Sequence, residues 1–164
     1  MQFDTQQVEQ LIFLSAAVVA SIFLLKFIMK CHKKKKLLQS NIYDIDLLSG
    51  EDFELFLYYF YKKHGYRVKL TPVTHDFGAD LVIKSRGKRI VVQAKRYKER
   101  VGIKAVQEVI GSMAYYKAKQ GMVITNSYYT QSAYVLAKSN GITLIGRNAL
   151  IHMIEKDMVL LPWC

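Results

Sequence analysis

Asp80 opens one strand-like run, and Gln93 and Lys95 lie near the end of the next. Side chains alternate across a strand, so Gln93 and Lys95 project from one face while Ala94 points to the other. If the two runs pair through a turn at Ser85 to Lys88, counting back from that turn sets Asp80 opposite Gln93 to Lys95. A carboxylate, an amide oxygen and an ammonium then share a small volume. That trio suits phosphodiester hydrolysis. A hard cation, Mg²⁺ or Mn²⁺ in its place, takes oxygen ligands, and Asp80, the Gln93 side-chain carbonyl and the Ala94 backbone carbonyl would supply them. Lys95 would orient the nucleophile and stabilise charge developing on phosphorus.

Further residues gather around this trio in the sequence. Lys84, Arg86, Lys88 and Arg89 cluster at the turn, and Arg96, Lys98, Arg100 and Lys104 follow the site; Gln107 lies three residues after Lys104 on one helical face. Flanking a metal-phosphate site, they are expected to neutralise the backbone of double-stranded DNA. Glu54 is a candidate additional ligand if its helix packs over the strand ends. Asp76 reads as a loop-forming residue and His75 as a solvated loop histidine.

These residues need elements to hold them. Ser49 is placed to cap a helix in which Phe53, Phe56, Leu57, Phe60 and Tyr61 recur at helical spacing, with Gly65 as its stop. Strands are predicted at 66–70, 79–84 and 89–95, then a helix at 103–118, a buried strand at 121–125, a helix at 130–140, and a last strand and helix at 143–145 and 148–154. The order αβββαβαβα describes an α/β domain with a hairpin-bearing mixed central sheet flanked by helices.

Six ordered pieces of this domain resemble the Mrr-like catalytic domain of the PD-(D/E)xK nuclease superfamily. They are SGEDFE at Ser49 to Glu54, HGYRV at His64 to Val68, HDFGAD at His75 to Asp80, VVQAKRY at Val91 to Tyr97, VQEVIGSM at Val106 to Met113 and VITNSYYTQSA at Val123 to Ala133. The resemblance covers residues 46 to 154. It implies a restriction-endonuclease-like fold, Asp80, Gln93 and Lys95 at the catalytic positions, Glu54 as the acid of the first helix, and restriction of foreign or modified DNA, with a homodimer as a common arrangement. Gln93 stands where most of the superfamily has Glu or Asp, so the site carries one negative charge fewer. Phe77 replaces a glycine that the family often has. A nuclease-fold module that tethers DNA or a partner protein to the membrane without cleaving is the alternative reading.

The tether comes from the N-terminal part. Leu11 to Met29 is apolar apart from two serines and Lys26, and as a helix it would be about 28 Å long, close to a bilayer's hydrocarbon core. Lys30 and Lys33 to Lys36 follow it and no Lys or Arg precedes it, which by the positive-inside bias puts residues 1–10 outside and everything after the span in the cytoplasm. A cleaved signal peptide wants a basic leading segment, which MQFDTQQVEQ lacks. Residues 30–48 read as a basic linker, 49–156 as the nuclease domain and 157–164 as a tail.

Composition bounds the alternatives. Of 164 residues 51% are hydrophobic, with only 9 Gly and 2 Pro, which excludes a disordered or collagen-like chain. Cys31 and Cys164 sit at opposite ends, excluding a disulfide scaffold and a cysteine zinc cluster. The net charge is +11, and residues 37–164 alone carry 18 basic and 11 acidic groups, so the domain itself favours polyanions.

Overall fold

A computed structural model describes residues 5–72 and 77–162. His75, Asp76 and Cys164 lie outside the described residues. The chain forms two compact units, one up to Lys36 and one from Leu37 onward.

Helix α1 runs Thr5–Leu38. No Gly or Pro interrupts that stretch, and inside it the hydroxyls of Ser15 and Ser21 donate back to the carbonyls of Ile12 and Ala17, each at 2.8 Å. Their polarity is thus consumed within the helix, as a hydrocarbon environment demands. The segment Glu9–Leu38 is long and apolar enough to cross a membrane, and its apolar side chains are uncovered by protein; Phe13 is 80% exposed. A single long apolar helix of this kind supports a single-pass membrane anchor. It continues through Lys33 to Lys36 rather than giving way to an irregular linker, because lysine and leucine both favour helix.

In the second unit, helix α2 (Ile42–Asp46) sits in the stretch expected to be a connector. Its length is too short for periodicity to reveal. What specifies it is Asn41, whose side chain accepts from the amides of Tyr43 and Asp44 while the Asp44 carboxylate accepts from the Asn41 amide, a reciprocal cap. Helix α3 (Gly50–Lys63) starts where Ser49 Oγ accepts the Asp52 amide at 3.1 Å. It ends at Gly65, whose φ of 82° lets the Gly65 and Tyr66 amides fold back onto the carbonyls of Lys62 and Tyr61.

Five strands follow: β1 (Arg67–Leu70), β2 (Leu81–Ser85), β3 (Lys88–Lys95), β4 (Gln120–Thr125) and β5 (Ile142–Ile145), in spatial order β1-β2-β3-β4-β5. β1, β2 and β3 are antiparallel neighbours; β3, β4 and β5 are parallel. Arg86 and Gly87, both with positive φ, make the two-residue turn between β2 and β3. Helices α4 (Ile103–Tyr115), α5 (Gln131–Ser139) and α6 (Arg147–Glu155) connect or follow the parallel strands. α4 stops three residues before the expected Ala118, because Lys117 turns left-handed at φ 51° and the Ala118 amide closes on the Met113 carbonyl. The mixed sheet flanked by helices, in the order αβββαβαβα after α1 and α2, is the expected architecture.

Alternation along the strands divides the interior into two cores. Leu81, Ile83, Ile90, Val92 and Ala94 meet the apolar sides of α3 and α6. Leu37, Ile45 and Leu161 complete that layer, so segments on both sides of residues 49–156 contribute to it. Val91 and Val123 face α4 and α5 on the other side.

α2 is pinned to the start of α6 by a two-pronged ion pair. Both Arg147 Nη atoms donate to the Asp46 carboxylate at 2.8 Å, and Asn126 Nδ2 donates to it at 2.7 Å. Hydrogen bonding from Arg147 holds the Asp46 carboxyl below its ordinary range; burial opposes this, and Asn126 reinforces it. A lowered pKa means stability that is present above the unfolded carboxylate value and lost as pH falls through the folded one. Asp46→Asn should therefore cost about 1 kcal/mol at about pH 7, after discounting for solvent screening, and progressively less as the pH falls below the unfolded carboxylate value, read from denaturant melts across that range.

Candidate active site

Asp80 immediately precedes β2 and is anchored through its backbone. Its amide donates to the Val92 carbonyl at 2.9 Å, its carbonyl accepts the Thr71 amide at 3.0 Å, and Thr71 Oγ1 donates to the Ala79 carbonyl at 2.6 Å. Leu81 is the register partner of Val92, so one step further sets Asp80 across from Gln93. Gln93 Nε2 donates to Asp80 Oδ2 at 2.6 Å, and the Ala94 amide donates to the same oxygen at 2.7 Å. Asp80 is 8% exposed and Gln93 3%.

The turn leading into Asp80 is fixed against α4. Gly78 has φ 85°, and a Cβ there would lie 2.5 Å from the Glu108 carbonyl oxygen, so only glycine admits this approach. Phe77, beside it, is left-handed at φ 51° and stacks on Tyr115 with ring centroids 3.9 Å apart. Phe77 thus keeps a glycine-like backbone and is held by an aromatic contact.

Lys95 shares the Gln93 face by alternation and pairs with Glu108 of α4, Nζ to Oε2 at 2.9 Å. Burial draws the Lys95 pKa down, but the hydrogen bond and charge of Glu108, then the charges of Asp80 and Tyr97, outweigh it and raise the value. The side chain is therefore a held cation at neutral pH. Thr125 Oγ1 donates to the Lys95 carbonyl at 2.6 Å, fixing the end of β3.

The donor set can be tested against a hard cation. Among the described residues no three His, Cys, Asp or Glu side chains converge. The oxygens present are one carboxylate and one amide carbonyl, and Gln93 Oε1 is buried without a hydrogen-bond partner. A buried orphan acceptor costs about 1–3 kcal/mol, which a cation beside Asp80 would recover. Within a strand the amide and carbonyl of one residue point the same way, so the Ala94 carbonyl, like its amide, faces the Asp80 side beyond the end of the β2 ladder. Asp80, Gln93 and Ala94 therefore fit such an ion.

The basic residues divide between the two ends of the sheet. Arg96 is half-buried, and Lys98, Lys104 and Gln107 are exposed, on the loop after β3 and the first turns of α4, at the Asp80 end. Asp80 begins β2 and Gln93 nears the end of β3, so Lys84, Arg86 and Lys88 lie at the opposite end of the ladder, with Lys88 about 17 Å along the strand from Gln93. Glu54 is half-buried on α3, whose apolar side packs on the sheet face opposite to that of Gln93 and Lys95.

Glu108 was not singled out from the sequence. A signal was present: it lies at helical spacing with Ala105 and Ser112, both buried, so it is a carboxylate on an inward stripe. Glu108→Gln keeps the shape and removes the charge that holds Lys95. It should lower any metal-dependent DNA cleavage about ten- to hundredfold while shifting stability by only about 1 kcal/mol, read from parallel cleavage time courses and melts.

Comparison with known proteins adds to this geometry. A family model described as a restriction endonuclease, Mrr_cat, matches residues 45–154. The type IV methyl-directed restriction enzyme EcoKMrr of Escherichia coli strain K12 is 39% identical over 101 residues, covering 57% of this chain and 33% of that enzyme. The chain thus spans about a third of the length of the relative it matches. Among solved structures, the DNA modification-dependent restriction endonuclease AspBHI superposes with a TM-score of 0.59 at 20% identity, over 80% of this chain and 37% of that one. That likeness is one of fold.

Proposed function

The chain belongs to the Mrr_cat restriction endonuclease family through residues 45–154, and from that membership we propose that it is a membrane-anchored, Mg²⁺-dependent DNA endonuclease hydrolysing phosphodiester bonds. The observation that carries this reading is the buried Asp80–Gln93 pair, 2.6 Å apart, with the unpartnered Gln93 Oε1 and the Lys95 ammonium on the same sheet face. Asp80 Oδ atoms, Gln93 Oε1 and the Ala94 carbonyl would hold the ion, for which Mn²⁺ could substitute. When bound, it polarises a phosphoryl oxygen and lowers the pKa of a bound water. Lys95, steadied by Glu108, orients the attacking water and stabilises charge on the phosphate. Arg96, Lys98, Lys104 and Gln107 contact neighbouring phosphates and set the strand's register without reading its sequence. Glu54 on α3 serves as the acid of the domain's first family-matched helix by family resemblance.

The description of the relative as methyl-directed supports modified DNA as the substrate class. The Lys-rich flank after the apolar segment favours a cytoplasmic nuclease unit, which confines cleavage to DNA near the inner leaflet. A second reading, a silent module that only tethers DNA, is favoured by the lack of a three-carboxylate cluster among the described residues. One experiment separates them. The full chain in detergent, with methylated and unmethylated supercoiled plasmid, should nick the methylated plasmid with Mg²⁺ and leave it intact with chelator. DNA retention that ignores metal, with no product in any lane, would establish the tether instead.

A further inference from the structure

The non-catalytic end of the domain carries a charge pattern that hydrolysis does not use. Residues 55–75 and 81–98 contain no Asp or Glu. The fold brings their cations together along the edge strand β1 and the β2–β3 turn. Arg67 is the register partner of Lys84, and two adjoining clefts of about 370 and 360 Å³ are lined by Lys62, Arg67, Lys69, Lys84 and Arg86. No acidic side chain lines either of them. Tyr66, Val68 and Val82 supply apolar walls between the cations.

Other lysines at this end have an internal explanation. Lys63 closes the C-terminus of α3 and pairs with Asp157 at 2.6 Å. Arg67, Lys69, Lys84 and Arg86 sit on strands and a turn, where no helix terminus accounts for them.

The geometry points to this face as a docking surface for anionic lipid headgroups, on which the nuclease unit lies against the bilayer that its own N-terminal helix spans. DNA fits it less well. A duplex presenting a phosphate to Asp80 approaches one end of the β2–β3 ladder, and the larger cleft, between Gly65 to Arg67 and Lys84 to Gly87, opens at the other. The apolar helix holds the unit beside the membrane, so each exposed cation acts at high effective concentration and adds about fivefold to partitioning onto an anionic leaflet. The inference rests on α1 as a membrane anchor and is independent of hydrolysis, so either can fail alone.

The test uses the full chain in nanodiscs of neutral lipid or with about a third anionic lipid, labelled with a water-soluble amine reagent and mapped by peptide mass. Lys69 and Lys84 should label about tenfold more slowly in the anionic discs, while Lys104, at the other end, is unchanged; raised salt should restore labelling. Arg67→Glu with Arg86→Glu should abolish the protection in protein whose melting is unaltered. Equal labelling of Lys69 and Lys84 in both discs overturns the proposal. So does shielding by a duplex oligonucleotide in neutral discs without shielding by anionic lipid, which would make the face a second DNA contact.

Discussion

Asp80→Asn should reduce Mg²⁺-dependent plasmid nicking by at least about a thousandfold while leaving the melting temperature nearly unchanged. The choice of Asn matters. Asp80 Oδ2 accepts from both Gln93 Nε2 and the Ala94 amide in a buried setting, and Asp80→Ala would strand both donors at about 1–3 kcal/mol each. Loss of activity in that variant would then mix chemistry with stability. The amide oxygen of Asn still accepts from the strand, but it lacks the charge that attracts a divalent cation. Lys95→Ala should lose cleavage on a similar scale and retain part of its DNA binding, because the exposed Lys98 and Lys104 remain. Nicking at the original rate in both Asp80→Asn and Lys95→Ala would remove the hydrolytic assignment.

Gln93→Glu tests the cation site without relying on activity. Across the 2.6 Å contact it replaces a donor with a second anion. Without metal, two buried carboxylates repel, and the protein should lose about 3 kcal/mol of stability. With a hard cation the added charge becomes a ligand, and saturating Mg²⁺ or Mn²⁺ should raise the melting temperature of Gln93→Glu much more than that of the parent chain. An ion present at about a hundred times its dissociation constant contributes about 2.7 kcal/mol. Thermal melts with chelator, Mg²⁺ and Mn²⁺ give the answer. If Gln93→Glu melts like the parent with chelator and gains nothing from either ion, Asp80 and Gln93 are not ion ligands.

Local patterns were legible where they recur. The Phe53 to Tyr61 stripe, the Ser49 cap and the Gly65 stop described α3 closely, because spacing and capping act within a few residues. The β2–β3 turn was equally readable, and through it the opposition of Asp80 and Gln93, since a two-residue turn fixes register. Helix α2 escaped because five residues carry no period. The end of α4 escaped because Lys117 adopts a conformation more usual for glycine.

By itself the sequence determined the apolar span, the order of elements, the alternation that sets Gln93 and Lys95 on one face, and the basic excess. These follow from periodicity and composition, which need no long-range contact. Only the tertiary structure decided where the charges fall. It delivered Glu108 to Lys95 through the packing of α4, left Gln93 Oε1 buried without a partner, and carried Lys84, Arg86 and Lys88 to the end of the sheet away from Asp80. Charge is counted along a chain, but its effect depends on distance through space, and that distance is set by how strands pair and helices cross the sheet.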